Sequence, residues 1–288
     1  MNTETGSPAI CWTPFRCVLV GISSDQEHEA PALGHAVALA SASHATLSLY
    51  VFAPQLHEPF PMSAASASGW LAEESERLEK LTSSAVRSAL ATISKVGLDV
   101  TTEHPSSPFE SRSERFVKLA RVHDLTILDV AGSCNTAQRK VIEDVLFASG
   151  RPLLLVPRHS GTAMPRRIAI AWDGSARAAR AVKDALPLLV GADEVVAVTV
   201  EGEKDLSRMA PGADLATYLA RHGVDCKLAT LATQAGDVAE RLRLFVAEED
   251  MEMVVMGAFV HSRSREEILG GVTQSLLDQP PVSLFLAH

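Results

Sequence analysis

The chain has few cysteines, and they are scattered. Its 288 residues include four, at Cys11, Cys17, Cys134 and Cys226. None of them forms a C-x-x-C pair, so their spacing predicts neither a zinc site nor the disulfide framework of a small secreted domain. A reducing, cytoplasmic environment is the one that this cysteine usage favours.

Positive charge is also scarce. The sequence holds 26 Lys and Arg against 35 Asp and Glu, which gives a net charge of −9. Binding to a phosphate backbone or an anionic membrane depends on clustered basic side chains, so we expect neither nucleic acid nor membrane as a partner. A run of 18 apolar residues, which would suggest a membrane span, does not occur. Residues 1–8 lack the basic and apolar parts of a signal peptide.

Catalytic motifs are missing as well. The ten histidines are dispersed, with no H-E-x-x-H metal motif. There is no G-x-S-x-G nucleophile elbow and no Walker loop ending in G-K-S/T. Because nothing pairs a nucleophile with a base, we expect no metal site and no enzyme, or at most slow hydrolysis of a bound nucleotide.

What the sequence does contain is an internal repeat. Arg16–Val20 and Arg166–Ile170 are both short apolar runs behind a basic residue, and each leads through a polar turn into an alanine-rich helical stretch. Two further pairs of segments match in the same order, 124–128 with 250–254 and 151–156 with 280–286. A repeat of this length predicts two tandem domains, residues 1–160 and 161–288.

The two copies differ in length at one place. Arg16 and Asp124 are 108 positions apart, whereas Arg166 and Asp250 are 84 apart. We expect the additional residues between Pro54 and Gly97, with a serine-rich loop at Met62–Gly69 before a helix, because loops accept insertions that a core does not.

Within each half, short apolar strands alternate with amphipathic helices. Strands that are apolar along their whole length are typical of parallel sheets covered on both faces, and strand–helix–strand units pair in parallel. The predicted fold class is therefore α/β, with two tandem Rossmann-like domains, each a doubly wound sheet of five parallel strands. The clearest helix spans 175–190, with Pro187 in its last turn. Further helices are predicted at 214–222, at 237–249 and up to residue 279, and strands at 194–200, 225–231, 253–256 and 282–287.

Candidate binding residues lie where strands of the second domain end, because ligands of open α/β sheets bind beyond the carboxyl ends of the strands. They are Ala171, Trp172 and Asp173 after the first strand, Val200 at the end of the second, and Met256, Gly257, Gly270, Gly271, Val272 and Thr273 after the fourth. Asp173 could accept hydrogen bonds from ribose hydroxyls, and the glycine pair would let phosphate oxygens approach backbone N–H groups.

A purely structural interpretation of these residues stays open. The D-G-S sequence at Asp173 also forms turns, in which Asp173 or Ser175 caps the following helix. The glycines could likewise serve as turn residues alone.

These motifs resemble those of universal stress proteins. The D-G-S turn, the Met256-Gly257 strand exit and the G-G-V-T helix start at Gly270 carry the resemblance, which extends over nearly all of the second domain. Members of that family that bind ATP have a loop of the form G-x-x-G, nine residues, then G followed by Ser or Thr. Gly257 matches the first glycine, and Gly270 matches the third after the nine residues His261–Leu269. The resemblance implies a site for ATP or ADP, with magnesium, in domain 2.

Two positions depart from that loop, since Val260 replaces the second glycine and Gly271 replaces the Ser or Thr. Valine disfavours positive φ, so a loop that needs it there would be strained by about 1–3 kcal/mol or rebuilt. Gly271 lacks a hydroxyl worth roughly 0.5–1.5 kcal/mol, although the hydroxyl of Thr273 remains. Between these positions, Arg263 and Arg265 suit an anionic ligand, whereas Ser264 has the capping-box spacing of a helical start.

The first domain lacks these marks. Ser23 stands where the second domain has Asp173, and no glycine pair precedes the helix that contains Glu143 and Asp144. These acidic residues are expected to repel a phosphate, so we predict that domain 1 keeps the fold without the site.

The resemblance implies a stress-response protein in one of two forms. In the first, domain 2 binds an adenine nucleotide and the protein responds to it. In the second, neither domain binds nucleotide and the pair is a scaffold for other proteins, which Val260 and Gly271 favour mildly. The family also implies an intramolecular pseudo-dimer through the last strands, 153–156 and 282–287, whose pairing covers exposed edges. Whether two chains form a homodimer stays open.

Overall fold

The computed structural model describes residues 14–24, 30–54, 64–104, 111, 113–130, 136–161, 164–201, 212–232, 237–258, 260–262 and 267–288. The first half contains β1 (Cys17–Ser23), α1 (Pro31–Ser43), β2 (Thr46–Phe52), α2 (Ala64–Ile93), β3 (Val100–Glu103), α3 (Glu114–Ala120), β4 (Leu125–Val130), α4 (Thr136–Ala148) and β5 (Leu153–Pro157). The second half contains β6 (Arg167–Ala171), α5 (Ala176–Leu189), β7 (Glu194–Glu201), α6 (Ala213–Arg221), β8 (Lys227–Ala232), α7 (Val238–Glu248), β9 (Met253–Gly257), β10 (Val260–Ser262), β11 (Glu267–Leu269), α8 (Gly271–Asp278) and β12 (Ser283–Ala287).

Both halves contribute to one sheet of ten strands, in the order β3-β2-β1-β4-β5-β12-β9-β6-β7-β8. Within each half the five strands are parallel, and the halves meet where β5 runs antiparallel to β12, with Leu155 opposite Leu284 and Leu153 opposite Leu286. The predicted class, α/β with two Rossmann-like domains of five parallel strands, is confirmed.

Helices cover both faces of this sheet, which is why its central strands are apolar throughout. β4, β5 and β12 are buried along their whole length. On the face that we call face A, the core contains residues of α1, α2, α5 and α6. On the opposite face, face B, it contains residues of α3, α4, α7 and α8. Burial of this kind, at about 25 cal/mol per Å² of apolar surface, is the main term that stabilises the fold.

The repeat is visible in hydrogen bonds at the amino ends of the strands. The Asp124 carboxylate accepts the backbone N–H groups of Arg16 (2.7 Å) and Cys17 (3.1 Å). In the second half, the Glu252 carboxylate accepts those of Arg166 (2.5 Å) and Arg167 (3.2 Å). Asp124 and Glu252 are therefore equivalent positions of the two copies, and the sequence match of Asp124 with Asp250 was wrong by two residues.

The same register makes Asp129 the counterpart of Gly257. Leu128 stands opposite Gly21 in the first half, and Met256 stands opposite Ala171 in the second. The residue that follows each of them is Asp129 in β4 and Gly257 in β9. The two copies thus differ in chemistry at one strand exit.

Most predicted helices lie close to their predicted bounds. Pro187 lies inside α5, in its last turn, where it removes one i→i−4 hydrogen bond shortly before the helix ends at Leu189. Gly223, with φ +75°, follows the end of α6. The insertion between residues 54 and 97 is largely helical, since α2 has 30 residues and its counterpart α6 has 9.

Two features were not predicted. The expected loop at Met62–Gly69 is wrong from Ala64 onward, where α2 already begins; alanine and serine without proline let a helix extend upstream. The hairpin of β10 and β11 was missed, because strands of three residues are too short to show a period of two. No helix in the described part of the chain is long and apolar enough to span a membrane.

Candidate functional site

The candidate residues of domain 2 lie around the carboxyl ends of β6, β7 and β9. Ala171, the last residue of β6, is opposite Met256 of β9, and Gly257 is opposite Ala287 of β12. Val200 is in β7, two residues beyond Val198, which accepts a hydrogen bond from the N–H of Trp172 (2.8 Å). The edge is therefore the one at which an α/β sheet binds ligands.

Asp173 and Ser175 together build the turn between β6 and α5. The carboxylate of Asp173 accepts the N–H of Ser175 (2.9 Å), and the hydroxyl of Ser175 accepts the N–H of Ala178 (3.1 Å) as the cap of α5. Gly174 between them has φ +72°, which glycine adopts without strain. The Asp173 side chain is half-buried. It stabilises the turn and is also partly exposed at the carboxyl edge of the sheet.

The start of α8 has no side-chain cap. Gly270 is its N-cap in an extended conformation and has no side chain with which to cap it. Gly271 is exposed, with no atom within 4 Å of where a Cβ would lie, and the first turn contains no acidic residue. The positive end of the helix dipole there can attract an anion.

The next two residues of α8 are directed towards the interior. Val272 is half-buried against the face B core, and Thr273 is only 1% exposed. The Thr273 hydroxyl, which was considered as a phosphate contact, thus lies in the interior in this structure.

Val260 is accommodated by a different loop geometry. It begins β10 and is opposite Leu269 of β11, so its backbone is extended, as a β-branched residue prefers. The loop of domain 2 is thus built as a hairpin at this point. Arg263, Ser264 and Arg265, considered as anion ligands or as a helical start, lie outside the described residues.

Gly257 has a packing role that the sequence did not reveal. A Cβ placed there would lie 2.6 Å from the backbone nitrogen of Ala178 and 2.7 Å from the carbonyl carbon of Arg177. The first turn of α5 rests directly on the end of β9, and only glycine leaves room for it. This glycine is therefore explained without a nucleotide.

The sheet separates Trp172 from the other apolar candidates. Trp172 packs against the face A core, whereas Ala171, Val200 and Val272 pack against the face B core. Successive residues of a strand point to opposite faces, so Ala171 and Trp172 diverge. The structure brings Ala171, Val200, Met256 and Val272 to one side and Trp172 to the other.

The corresponding edge of domain 1 carries a buried carboxyl group at Asp129. It is 4% exposed, its Oδ1 accepts the N–H of Ala32 in the first turn of α1 (2.8 Å), and its Oδ2 has no hydrogen-bond partner in the described part of the chain. Burial raises the pKa of Asp129 to about 6, against the lowering effects of the Ala32 hydrogen bond and the charge of Arg158. A lone acid in the apolar run of β4 was the available signal for it, and our sequence analysis missed it.

The acidic residues expected to repel phosphate in domain 1 are elsewhere. α4 begins at Thr136, so Glu143 and Asp144 lie seven and eight residues into the helix rather than at its start. They face Arg139 and Lys140 of the preceding turn. Their predicted position near a phosphate was wrong, because the helix begins earlier than the sequence suggested.

Comparison with known proteins gives its result at the level of structure. No protein-family model matches the sequence, and a comparison with curated proteins finds no match. A universal stress protein from Archaeoglobus fulgidus DSM 4304 has 15% sequence identity and a TM-score of 0.69, over 94% of this chain and 95% of that one. A functionally unknown protein from Pseudomonas aeruginosa PAO1 has 16% identity and a TM-score of 0.58, over 95% and 92%.

A third structure, described as a universal stress protein from Pseudomonas aeruginosa UCBPP-PA14, has 17% identity and a TM-score of 0.56, over 95% of this chain and 93% of that one. The agreement spans both halves of the chain in all three. The class defined by this fold is a pair of Rossmann-like domains in one sheet. More particularly, it is the fold of tandem universal stress proteins.

Proposed function

We propose that the protein is a stress-response factor whose second domain binds ATP or ADP, with magnesium on the phosphates. The observation that carries the proposal is the start of α8, where the N-cap Gly270 provides no side-chain cap and Gly271 is exposed. Such a helix start, at the carboxyl edge of a parallel sheet, suits a phosphate. Asp173, at the end of the neighbouring strand, would accept the ribose hydroxyls.

The first prediction concerns the charge of Asp173. Asp173→Asn keeps an oxygen that can accept the N–H of Ser175 and so keeps the turn. It replaces the other acceptor oxygen by an amide NH₂ group, which donates hydrogen bonds instead. We expect calorimetric titration with magnesium and ATP or ADP to show one site in the unaltered protein and an affinity at least about tenfold lower in the variant, through loss of charge-assisted hydrogen bonds.

The control is Asp225→Asn, an exposed carboxylate after α6, which should bind nucleotide as the unaltered protein does. Thermal unfolding of all three proteins checks that the turn is intact. The absence of heat from folded protein at millimolar nucleotide would overturn the proposal.

The second prediction concerns Gly271. Gly271→Ser restores the hydroxyl found in the ATP-binding loops of the family, and the open space around Gly271 accommodates it. We expect an affinity for ATP about two- to tenfold higher, the worth of one ordinary hydrogen bond. Gly271→Ala, which adds a similar volume without the hydroxyl, should leave the affinity unchanged; equal gains in both variants would count against a phosphate at this position.

A second candidate function has structural observations in its favour. Gly257 is explained by packing against α5, Thr273 is buried, and Val260 lies in a hairpin strand. A domain with these features needs no nucleotide, and the tandem pair would then be a scaffold that binds other proteins. The calorimetric titration separates the two functions, because the scaffold takes up no nucleotide.

A further inference from the structure

A cavity of about 270 Å³ lies between the two halves of the molecule, at the edge of the sheet where β9 and β12 begin. The antiparallel pairing of β5 and β12 brings the linker after β5 to the same edge. Asp173 and the start of α8 follow the opposite ends of the strands of domain 2. The cavity is therefore distinct from the candidate nucleotide site.

The walls of the cavity are mostly apolar and come from both domains. Leu39 of α1, Leu188 of α5, Met164 of the linker, and Met251 and Met253 before and in β9 line it. The cavity is partly open to solvent, and binding sites favour such clefts at domain interfaces. Methionine side chains adapt to ligands of varied shape.

Several polar residues line the cavity, among them His159, Ser160 and Ser283, and the buried imidazole of His35 is the one on α1. His35 is 7% exposed, and its Nδ1 lies 3.2 Å from the carbonyl oxygen of Pro31. Burial lowers the pKa of His35, so the ring is neutral at physiological pH. A neutral ring that donates from Nδ1 carries a lone pair on Nε2, which has no hydrogen-bond partner among the described residues.

The described walls of the cavity offer few charged groups, which disfavours an ionic ligand. No Lys or Arg is among the described residues that line it, and the Glu252 carboxylate is occupied by the N–H groups of Arg166 and Arg167. An ion transferred into such a place would lose its hydration without a partner of opposite charge.

We infer that this cavity binds a small, neutral, largely apolar molecule of about the size of indole, which donates one N–H or O–H hydrogen bond to Nε2 of His35. The size follows from the volume, because an apolar cavity of roughly 150 Å³ takes up benzene. The donor follows from the lone pair on Nε2. The inference does not depend on nucleotide binding in domain 2.

The test uses indole and 1-methylindole, which differ in the N–H group. Calorimetry on the full chain should show one indole per chain, with 1-methylindole bound about fivefold more weakly. His35→Phe keeps a flat ring and loses the acceptor, so the two probes should bind it equally. Equal binding of both probes to the unaltered protein would overturn the assigned hydrogen bond, and failure to bind indole at millimolar concentration would overturn the site.

Location is tested by filling the cavity. Met164→Trp adds a large ring from the partly buried linker, whereas Val122→Trp adds the same ring at a position that is 69% exposed. Indole binding should disappear in the first variant and persist in the second. In the unaltered protein, the methyl NMR signals of Met251 and Met253 should shift on addition of indole and that of Met256 should not. Unchanged signals, or binding that survives Met164→Trp, would overturn the inference.

Discussion

We expect the unaltered protein to lose stability as the pH rises from about 4 to 6, and the Asp129→Asn variant to lack this loss. The pKa of Asp129 rises from 3.8 to about 6 on folding, chiefly because the carboxyl group is buried. The folded state therefore binds the proton more tightly than the unfolded state. The stabilisation from protonated Asp129 is complete at low pH, decreases as the pH rises through this range, and is absent above the folded pKa.

The size of the effect follows from the shift. Two pKa units correspond to about 3 kcal/mol, so the difference in unfolding free energy between the unaltered protein and Asp129→Asn should change by about that amount from pH 4 to pH 7. Two groups near Asp129 act against this shift: the first-turn N–H of Ala32 in α1, through a hydrogen bond, and Arg158, through its positive charge. Both favour the carboxylate, and burial outweighs them.

Urea unfolding at several pH values measures this difference. The exposed Asp225→Asn serves as the matched control, and its difference from the unaltered protein should stay flat over the same range. A flat difference for Asp129→Asn as well would show that the carboxyl group is hydrated in solution, contrary to the packing of β4 under α1.

A second large effect is expected from adding one methyl group at the end of β9. Gly257→Ala would place its Cβ 2.6 Å from the backbone nitrogen of Ala178. No flexible side chain can move aside there, so α5 must shift away from the sheet. We expect a loss of about 3 kcal/mol in unfolding free energy, the upper part of the range for overpacked cores.

Gly271→Ala is the matched comparison for this experiment. Both glycines lie at positions of the loop motif, although the family has Ser or Thr where Gly271 stands, and the Gly271 site has no atom within 4 Å and no positive φ in the described part of the chain. Alanine there should change stability by less than about 1 kcal/mol, in the stabilising direction, since it favours a helix over glycine. Denaturation midpoints of the two variants check the contrast, and equal stabilities would show that α5 does not rest on β9.

Much of the fold was predictable, because its signals are local. The repeat of Arg16–Val20 at Arg166–Ile170, the continuous apolar strands and the spacing of α5 specify two α/β domains of parallel strands. The turn at Asp173 was predictable as a structural motif, and the structure uses both of its polar side chains, with Ser175 as the cap of α5. The early start of α2 and the short hairpin at Val260 were not predictable, because neither has a strong periodic pattern.

The candidate site was less predictable than the fold. The motif matches named Gly257, Gly271 and Thr273 as one set, but the structure assigns them different environments. Gly257 is covered by α5, Gly271 is exposed, and Thr273 is buried. A glycine that leaves room for a bound phosphate and a glycine that leaves room for a packed helix look the same in the sequence, because both are needed where a Cβ would clash. Spacing along the chain therefore cannot distinguish them.

The sequence by itself determined the two α/β repeats, their class and the sheet edge at which the candidate residues lie, because each depends on the order and period of neighbouring residues. Only the tertiary structure decided the register in which β5 pairs with β12, the burial of Asp129 beneath α1, and the presence of a cavity lined by His35 between the halves. These features arise from contacts between segments distant in the chain. Their energies depend on burial and close approach, and no local pattern encodes either quantity.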